Sequence, residues 1–236
     1  TLAGKVSSET CPQYLLWAAE NIPDGRTEYK CAPPIRSSEN RRNLLHSIVE
    51  ADSIQMVASD HSPADPTLKR TAEGNLREAW GGISGLQYRL QATWTAMRSL
   101  DANVSYAVLN ELLSAGPARI FGLDQKKGSI AQGMDADFVI WNPDENLIIQ
   151  REDCQHKHTL SPFIGANLTG VVHWSLLRGH VVYSMPTCIS NPRCAREHSG
   201  LGKVVVNIPD GSEAGVHIKD PHEYAQKLKM PHSPRY

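Results

Sequence analysis

The run Val57-Ala58-Ser59-Asp60-His61-Ser62-Pro63 sets a carboxylate at the end of a short apolar stretch. In open α/β sheets and α/β barrels, chemistry gathers where the loops leave the carboxyl ends of parallel strands. A carboxylate placed there can take a proton from a nucleophile or ligate a cation. Neighbouring residues of a regular strand point to opposite faces, so Asp60 and His61 cannot share one ion while the strand stays regular. The plain alternative is an Asp that caps the following turn, with Pro63 ending the strand. Gly81-Gly82 offers backbone that a ligand can approach closely, or simply a flexible turn. Cys31 is a nucleophile by chemistry, yet we read it as a small packing side chain. His156-x-His158 tempts as a metal pair, but with Lys157 between and no acid nearby it reads as two exposed loop histidines. His46 falls on a helix, partly exposed, and His198, His217, His222 and His232 are too widely spaced to argue for a site. Trp17, Trp94, Trp141 and Trp174 read as core or edge packing, whereas Trp80 could wall a pocket beside Gly81.

The elements around these residues alternate. Lys5 to Glu9 suits a short strand and Pro12 to Glu20 a helical turn or two, ended by Pro23 and Gly25. Ser38 is placed to cap a helix whose Leu44, Leu45, Ile48 and Val49 form one apolar stripe. Ile54 to Ala58 is apolar enough for a strand buried on both faces, and strand–helix–strand in this order predicts a βαβ unit and an α/β fold. A helix is expected over Leu86 to Arg98, with Leu86, Leu90, Trp94 and Met97 on its buried side. Another is expected from the cap Ser105 through Leu113. Past residue 124 the pattern changes to short strands at 138–141, 147–149, 170–174 and 179–183. We therefore expect an α/β part over 1–124, a small β part over 125–184, and a poorly patterned, loosely attached tail over 185–236 in which only Val204 to Val206 looks like a strand.

Composition narrows the class. The 236 residues carry 24 Lys and Arg against 25 Asp and Glu, which gives no electrostatic reason for a nucleic-acid or anionic-membrane partner. No apolar run reaches the roughly 20 residues of a membrane span. The five cysteines are scattered and odd in number, which suggests reduced thiols in a cytoplasmic protein rather than a disulfide framework.

The motifs Glu9-Thr10-Cys11-Pro12-Gln13-Tyr14-Leu15, Lys30-Cys31-Ala32-Pro33-Pro34-Ile35-Arg36, Ser59-Asp60-His61-Ser62-Pro63 and Trp80-Gly81-Gly82-Ile83-Ser84-Gly85-Leu86-Gln87 occur in that order. They are followed by Pro117-Ala118-Arg119-Ile120-Phe121-Gly122-Leu123 and by the run from Lys127 to Trp141. Together they resemble the C-terminal portion of the cyclic-amide hydrolases of the amidohydrolase superfamily, the group of dihydropyrimidinase, hydantoinase, dihydroorotase and allantoinase. The Trp-Gly-Gly-Ile segment and His156 to Gly165 resemble the allantoinases most. The similarity spans roughly residues 5 to 184.

This resemblance implies the C-terminal part of a metal-dependent (β/α)8 barrel plus part of a small β-sandwich. It implies two Zn2+ ions bridged by a carboxylated lysine and a hydroxide. Asp60 then matches a metal ligand that is also the general base. Cys31, Ala32, Gly81 and Gly82 match the backbone strip that grips the ring. The implied reaction opens the hydantoin ring of allantoin to allantoate, in purine catabolism, with a small-molecule substrate and a homo-oligomer, homotetrameric in relatives. The early His-x-His, the carboxylated lysine and two further histidines have no match here. A βα unit takes about 30 residues, so about six strands would be encoded upstream and the chain alone is expected to be inactive. The alternative is a metal-free remnant acting as an association module, as in the non-enzymatic dihydropyrimidinase relatives. In either case the strands from Gly128 to Tyr183 are expected to lack partners at their edges.

Overall fold

A computed structural model of the chain describes residues 6–49, 53–101, 103–185, 204–207 and 213–216. The chain divides into two compact units, Thr1–Ala195 and Arg196–Tyr236. Lys5, Cys188, Cys194, His198, His217, His222 and His232 lie outside the described residues.

In the first unit, strand β1 (Glu9–Thr10) pairs in parallel with β2 (Met56–Val57), Glu9 opposite Met56 and Thr10 opposite Val57. Helices α1 (Pro12–Leu16) and α2 (Ser38–Val49) lie between them in the chain, giving the expected strand–helix–strand order. The α2 stripe behaves as its spacing requires: Leu45 and Ile48 are buried, with Leu44 and Val49 packed beside them. The cap, however, is one residue upstream of Ser38. The Ser37 hydroxyl accepts from the Asn40 amide at 3.2 Å, while the Ser38 amide donates to the Glu20 carboxylate at 3.0 Å. The first orphan amides of the helix are thereby satisfied from two sides.

Helix α3 (Arg89–Leu100) places Trp94 and Met97 in the core. Leu86 does not join them and is 59 % exposed, because Leu86–Tyr88 forms a 3-10 turn whose tighter period rotates it off the stripe. Ser105 caps α4 (Tyr106–Asn110), accepting from the Ala107 amide at 3.1 Å. The helical path then runs past Leu113. A π-turn over Glu111–Ala115 leads into α5 (Gly116–Ile120), and Pro117 sits in the first turn of α5, where a missing N–H leaves nothing unpaired. Gly116 is needed there, since a Cβ would lie 2.2 Å from the Gln55 carbonyl oxygen.

The second half of this unit is an antiparallel sheet in the order β3-β4-β5, from β3 (Phe138–Ile148), β4 (Asn167–Leu177) and β5 (His180–Ser184). The strands expected at 138–141 and 147–149 are one continuous β3, with register irregularities after Ile140 and Asn142. Such a bulge tolerates Pro143, which cannot donate to a ladder. Its carbonyl instead accepts from the Trp94 indole at 2.9 Å, which joins α3 to the sheet. Trp94 also stacks on Tyr106 and meets Trp141 edge-on. A second core gathers Phe163, Tyr88, Ile83, Cys31, Ile149 and Leu168 beneath the loops that follow β2.

In the second unit, β6 (Val204–Asn207) pairs antiparallel with β7 (Glu213–Val216), so Val204 to Val206 is not the only strand there. Glu213-Ala214-Gly215-Val216 lacks the β-branched run that marks its partner, so pairing decides its state rather than propensity.

Candidate active site

The Ala58 amide donates to the Thr10 carbonyl at 2.9 Å, and beyond it the β1–β2 pairing ends. Asp60 follows with φ of 45°, a left-handed conformation that Asp adopts more readily than most residues. It is exposed at the carboxyl end of the parallel pair. It does not cap the next turn: Asp65 does so, accepting from the Thr67 amide at 3.0 Å and the Thr67 hydroxyl at 2.7 Å. The field of the Asp60 carboxylate falls on Cys11, Tyr14 and Cys31. Burial pushes the Cys11 thiol up to about 12, with the Asp60 and Glu9 charges adding to the effect. Burial raises Tyr14 and Cys31 too, with Asp60 again contributing. Both thiols are therefore neutral near pH 7, and Cys31, 5 % exposed, sits in the second core as a packing side chain.

The remaining expected residues meet around Lys30 and Ser62. The Gly82 amide donates to the Lys30 carbonyl at 3.0 Å, which sets the Gly81-Gly82 loop against the start of the Cys31-Ala32 strip. Ala32 is exposed beside Cys31, and its peptide bond to Pro33 is cis. The Pro33 carbonyl accepts from the Tyr14 hydroxyl at 2.9 Å. Gly82 is buried, and a Cβ on it would lie 2.5 Å from the Ser62 hydroxyl oxygen, whereas one on Gly81 would meet nothing closer than 3.9 Å. His61 bridges in parallel to Ile83, and the Ser62 amide donates to the Ile83 carbonyl at 3.0 Å. The segment after Asp60 thus runs alongside the glycine loop. Trp80, 45 % exposed, donates its indole N–H to the Ser62 carbonyl at 3.4 Å, at the edge of this rim.

His156 corrects an expectation. It is half-buried rather than exposed, with His158 also partly covered, and its ring lies 5.9 Å from that of His61. Its Nδ1 lies 2.6 Å from the His158 carbonyl, which can only accept, so Nδ1 carries the proton and the buried Nε2 keeps a lone pair with no hydrogen-bond partner. His61 accepts at Nδ1 from the Leu86 amide at 3.2 Å. Burial holds both imidazoles below the usual histidine range. No local pattern signals this juxtaposition, because 95 residues separate the two. Tyr14 and Ser62 were also unassigned, although both lie within motifs already quoted.

Asp60 can supply one metal ligand. Among the described residues no group of three or more His, Cys, Asp or Glu side chains is placed to hold an ion. These residues therefore do not by themselves fit the two-zinc site that the resemblance implies, and the pair His156 and His158 does not supply it. A separate cavity of about 1150 Å3, walled by Arg89, Tyr106, Phe121, Ile130 and Trp141 among others, includes none of Asp60, Cys31, Ala32, Gly81 or Gly82.

A parallel strand pair with the segment after Asp60 running beside the glycine loop at its carboxyl end is the arrangement of an α/β fold. Residues 15–182 match the amidohydrolase family, and the chain belongs to that family. It is 41% identical over 182 residues to a probable allantoinase of Oryza sativa subsp. japonica, covering 76% of this chain and 35% of that one. Against the allantoinase of Streptomyces avermitilis the identity is 42% over 175 residues, covering 74% and 38%. Among solved structures, the L-hydantoinase (dihydropyrimidinase) from Arthrobacter aurescens superposes with a TM-score of 0.69 at 30% identity, covering 76% of this chain and 39% of that one. The dihydropyrimidinase from Brevibacillus agri gives 0.67 at 28%, covering 76% and 39%. The chain thus spans little more than a third of the length of these relatives, and its fold is that of the matching part of a hydantoinase.

Proposed function

We propose that this chain carries the Asp60 rim and the ring-binding strip of a cyclic-amide hydrolase of the allantoinase type, one that opens allantoin to allantoate in purine catabolism. The observation that carries this reading is the Gly82–Lys30 bond that sets the Gly81-Gly82 loop against the Cys31-Ala32 strip, with the segment that follows Asp60 running beside that loop at the carboxyl end of β2. Asp60 is the group that would take the proton of an attacking water and pass it to the departing ring nitrogen. Backbone N–H and C=O groups of Cys31, Ala32 and Gly81 and the C=O of Gly82 suit a ring that alternates donors and acceptors, while the Gly82 N–H is spent on the Lys30 carbonyl and holds the loop in place. The zinc pair and its carboxylated lysine would have to draw ligands from outside the described residues, and no step is assigned to them. Residues 1–236 alone are accordingly proposed to be inactive, because one carboxylate is short of the three protein ligands a catalytic zinc takes. A homo-oligomer and a cytoplasmic location belong to the same proposal. Among the described residues, no helix is long and apolar enough to cross a membrane.

The test has two arms on purified 1–236. Titration with allantoin should shift the amide resonances of Cys31, Gly81 and Gly82; no shift there would favour the association-module reading. Allantoin hydrolysis with added zinc should be undetectable, and turnover that vanishes in Asp60→Asn would refute the proposed inactivity.

A further inference from the structure

Lys69 is 4 % exposed, yet among the described residues its ammonium meets carbonyls and no carboxylate at hydrogen-bond distance. It donates to the Lys30 carbonyl at 3.0 Å and reaches the Thr27 carbonyl at 3.4 Å. The neighbouring Glu28 carboxylate is engaged by Arg26. Burying an ammonium against neutral carbonyls is costly, and an apolar side chain would hold the same space at less cost. Stability alone therefore does not account for Lys69.

The Lys30 carbonyl does. Its oxygen has two lone pairs: the Gly82 amide takes one at 3.0 Å and the Lys69 ammonium the other, also at 3.0 Å. The peptide that begins the Cys31-Ala32 strip is thus saturated on its oxygen side and cannot rotate toward a ligand. A charged donor on that oxygen also polarises the same peptide, which strengthens its Cys31 N–H as a donor. The Lys30 side chain braces the other side, donating to the Ala79 carbonyl at 2.6 Å and the Arg77 carbonyl at 3.1 Å. Two lysines therefore tie the 27–32 strip, the 66–69 turn and the 77–82 loop together, all through backbone oxygens.

We propose that Lys69 is a positioning residue: its ammonium fixes the Lys30 carbonyl and so holds the Gly82 amide and the Cys31-Ala32 strip at one spacing, matched to a planar cyclic ureide or imide. The inference rests on the reading of that strip as the ring-binding surface. Burial pulls the Lys69 ammonium down to about 8, against the opposing pull of Cys31 and Glu28 and with Lys30 adding to the fall. Its charge is present below that pH and lost above it, where the neutral amine can only donate more weakly and the brace slackens.

Hydrogen exchange on the full 1–236 chain tests this. In Lys69→Met the Gly82 amide should exchange faster by about tenfold or more, as loss of a charge-assisted bond implies, while amides of α3 keep their protection. Lys69→Arg should restore part of the protection. Unchanged Gly82 exchange in Lys69→Met, with α3 protected, overturns the proposal. Should Lys69→Met not fold, the wild-type chain answers between pH 7 and 9.5. Gly82 protection relative to α3, after correction for intrinsic rates, should fall through about pH 8, and a flat ratio overturns the proposal. Allantoin titration separates the two readings: if Gly82 loosens as expected but the wild-type chain binds no allantoin, the brace stands and the ring-binding assignment fails.

Discussion

The rim around Asp60 and the seam between α3 and the β3-β4-β5 sheet are built by different means. At the rim, positions are set by backbone hydrogen bonds, Gly82 to Lys30 and Ser62 to Ile83, by two lysines that donate to carbonyls, and by the absence of a side chain at Gly82. At the seam, Trp94 is buried against Trp141 and under the half-exposed Tyr106, with the Trp94 indole and the Arg98 guanidinium donating to the Pro143 carbonyl and the Thr169 amide donating to the Thr95 hydroxyl. The seam therefore concentrates stability, and the rim concentrates geometry. Such a division lets residues at the rim vary without loosening the fold, and lets the seam unfold the chain without any change in the rim's own residues.

The sharpest way to break this contrast is at the seam. Trp94→Ala should cost about 3–5 kcal/mol in a urea melt, since it removes an indole that is 3 % exposed and leaves the Pro143 carbonyl with only its Arg98 donor. Gly82→Ala should cost about 1–3 kcal/mol by forcing Ser62 away, while Gly81→Ala stays within about 0.5 kcal/mol. Equal effects at the two glycines would show that the rim is not sterically set. Gln13 sits in α1 with neither amide atom hydrogen-bonded and 1 % exposure, so Gln13→Met should stabilise the chain by about 1 kcal/mol; a loss of stability would mean the amide has a partner in solution. Asp60→Asn should move the melt by less than about 0.5 kcal/mol, because the side chain is exposed and Asn accepts a left-handed backbone. A large shift there would merge the two regions that the structure separates.

Legibility followed the range of the forces involved. The α2 stripe, the β2 strand and the Ser105 cap depend on residues a few positions apart and were readable from their spacing. Asp60, Cys31, Ala32, Gly81 and Gly82 are reached through ordered motifs; the structure sets the glycine loop against the start of the Cys31-Ala32 strip, and the roles of these residues belong to the proposal. What stayed hidden involves partners distant in sequence or departures from a regular period. The 3-10 turn that exposes Leu86, the π-turn that carries a helix past Leu113, and the join of two short strands into β3 all change a period that pattern reading holds constant. His156 beside His61 and Lys69 beneath Lys30 arise from folding across 95 and 39 residues, and nothing local to either announces it.

The π-turn at Glu111–Ala115 makes chain length itself a determinant here. Each residue of a helix advances the direction of the next by about 100°. The wide turn already takes up one extra residue, so inserting a second between 110 and 116 would swing Gly116 off the Gln55 carbonyl and bring a bulkier neighbour to face β2. That strand ends three residues before Asp60, so a single-codon insertion in a remote helix would reach the rim while altering none of its side chains.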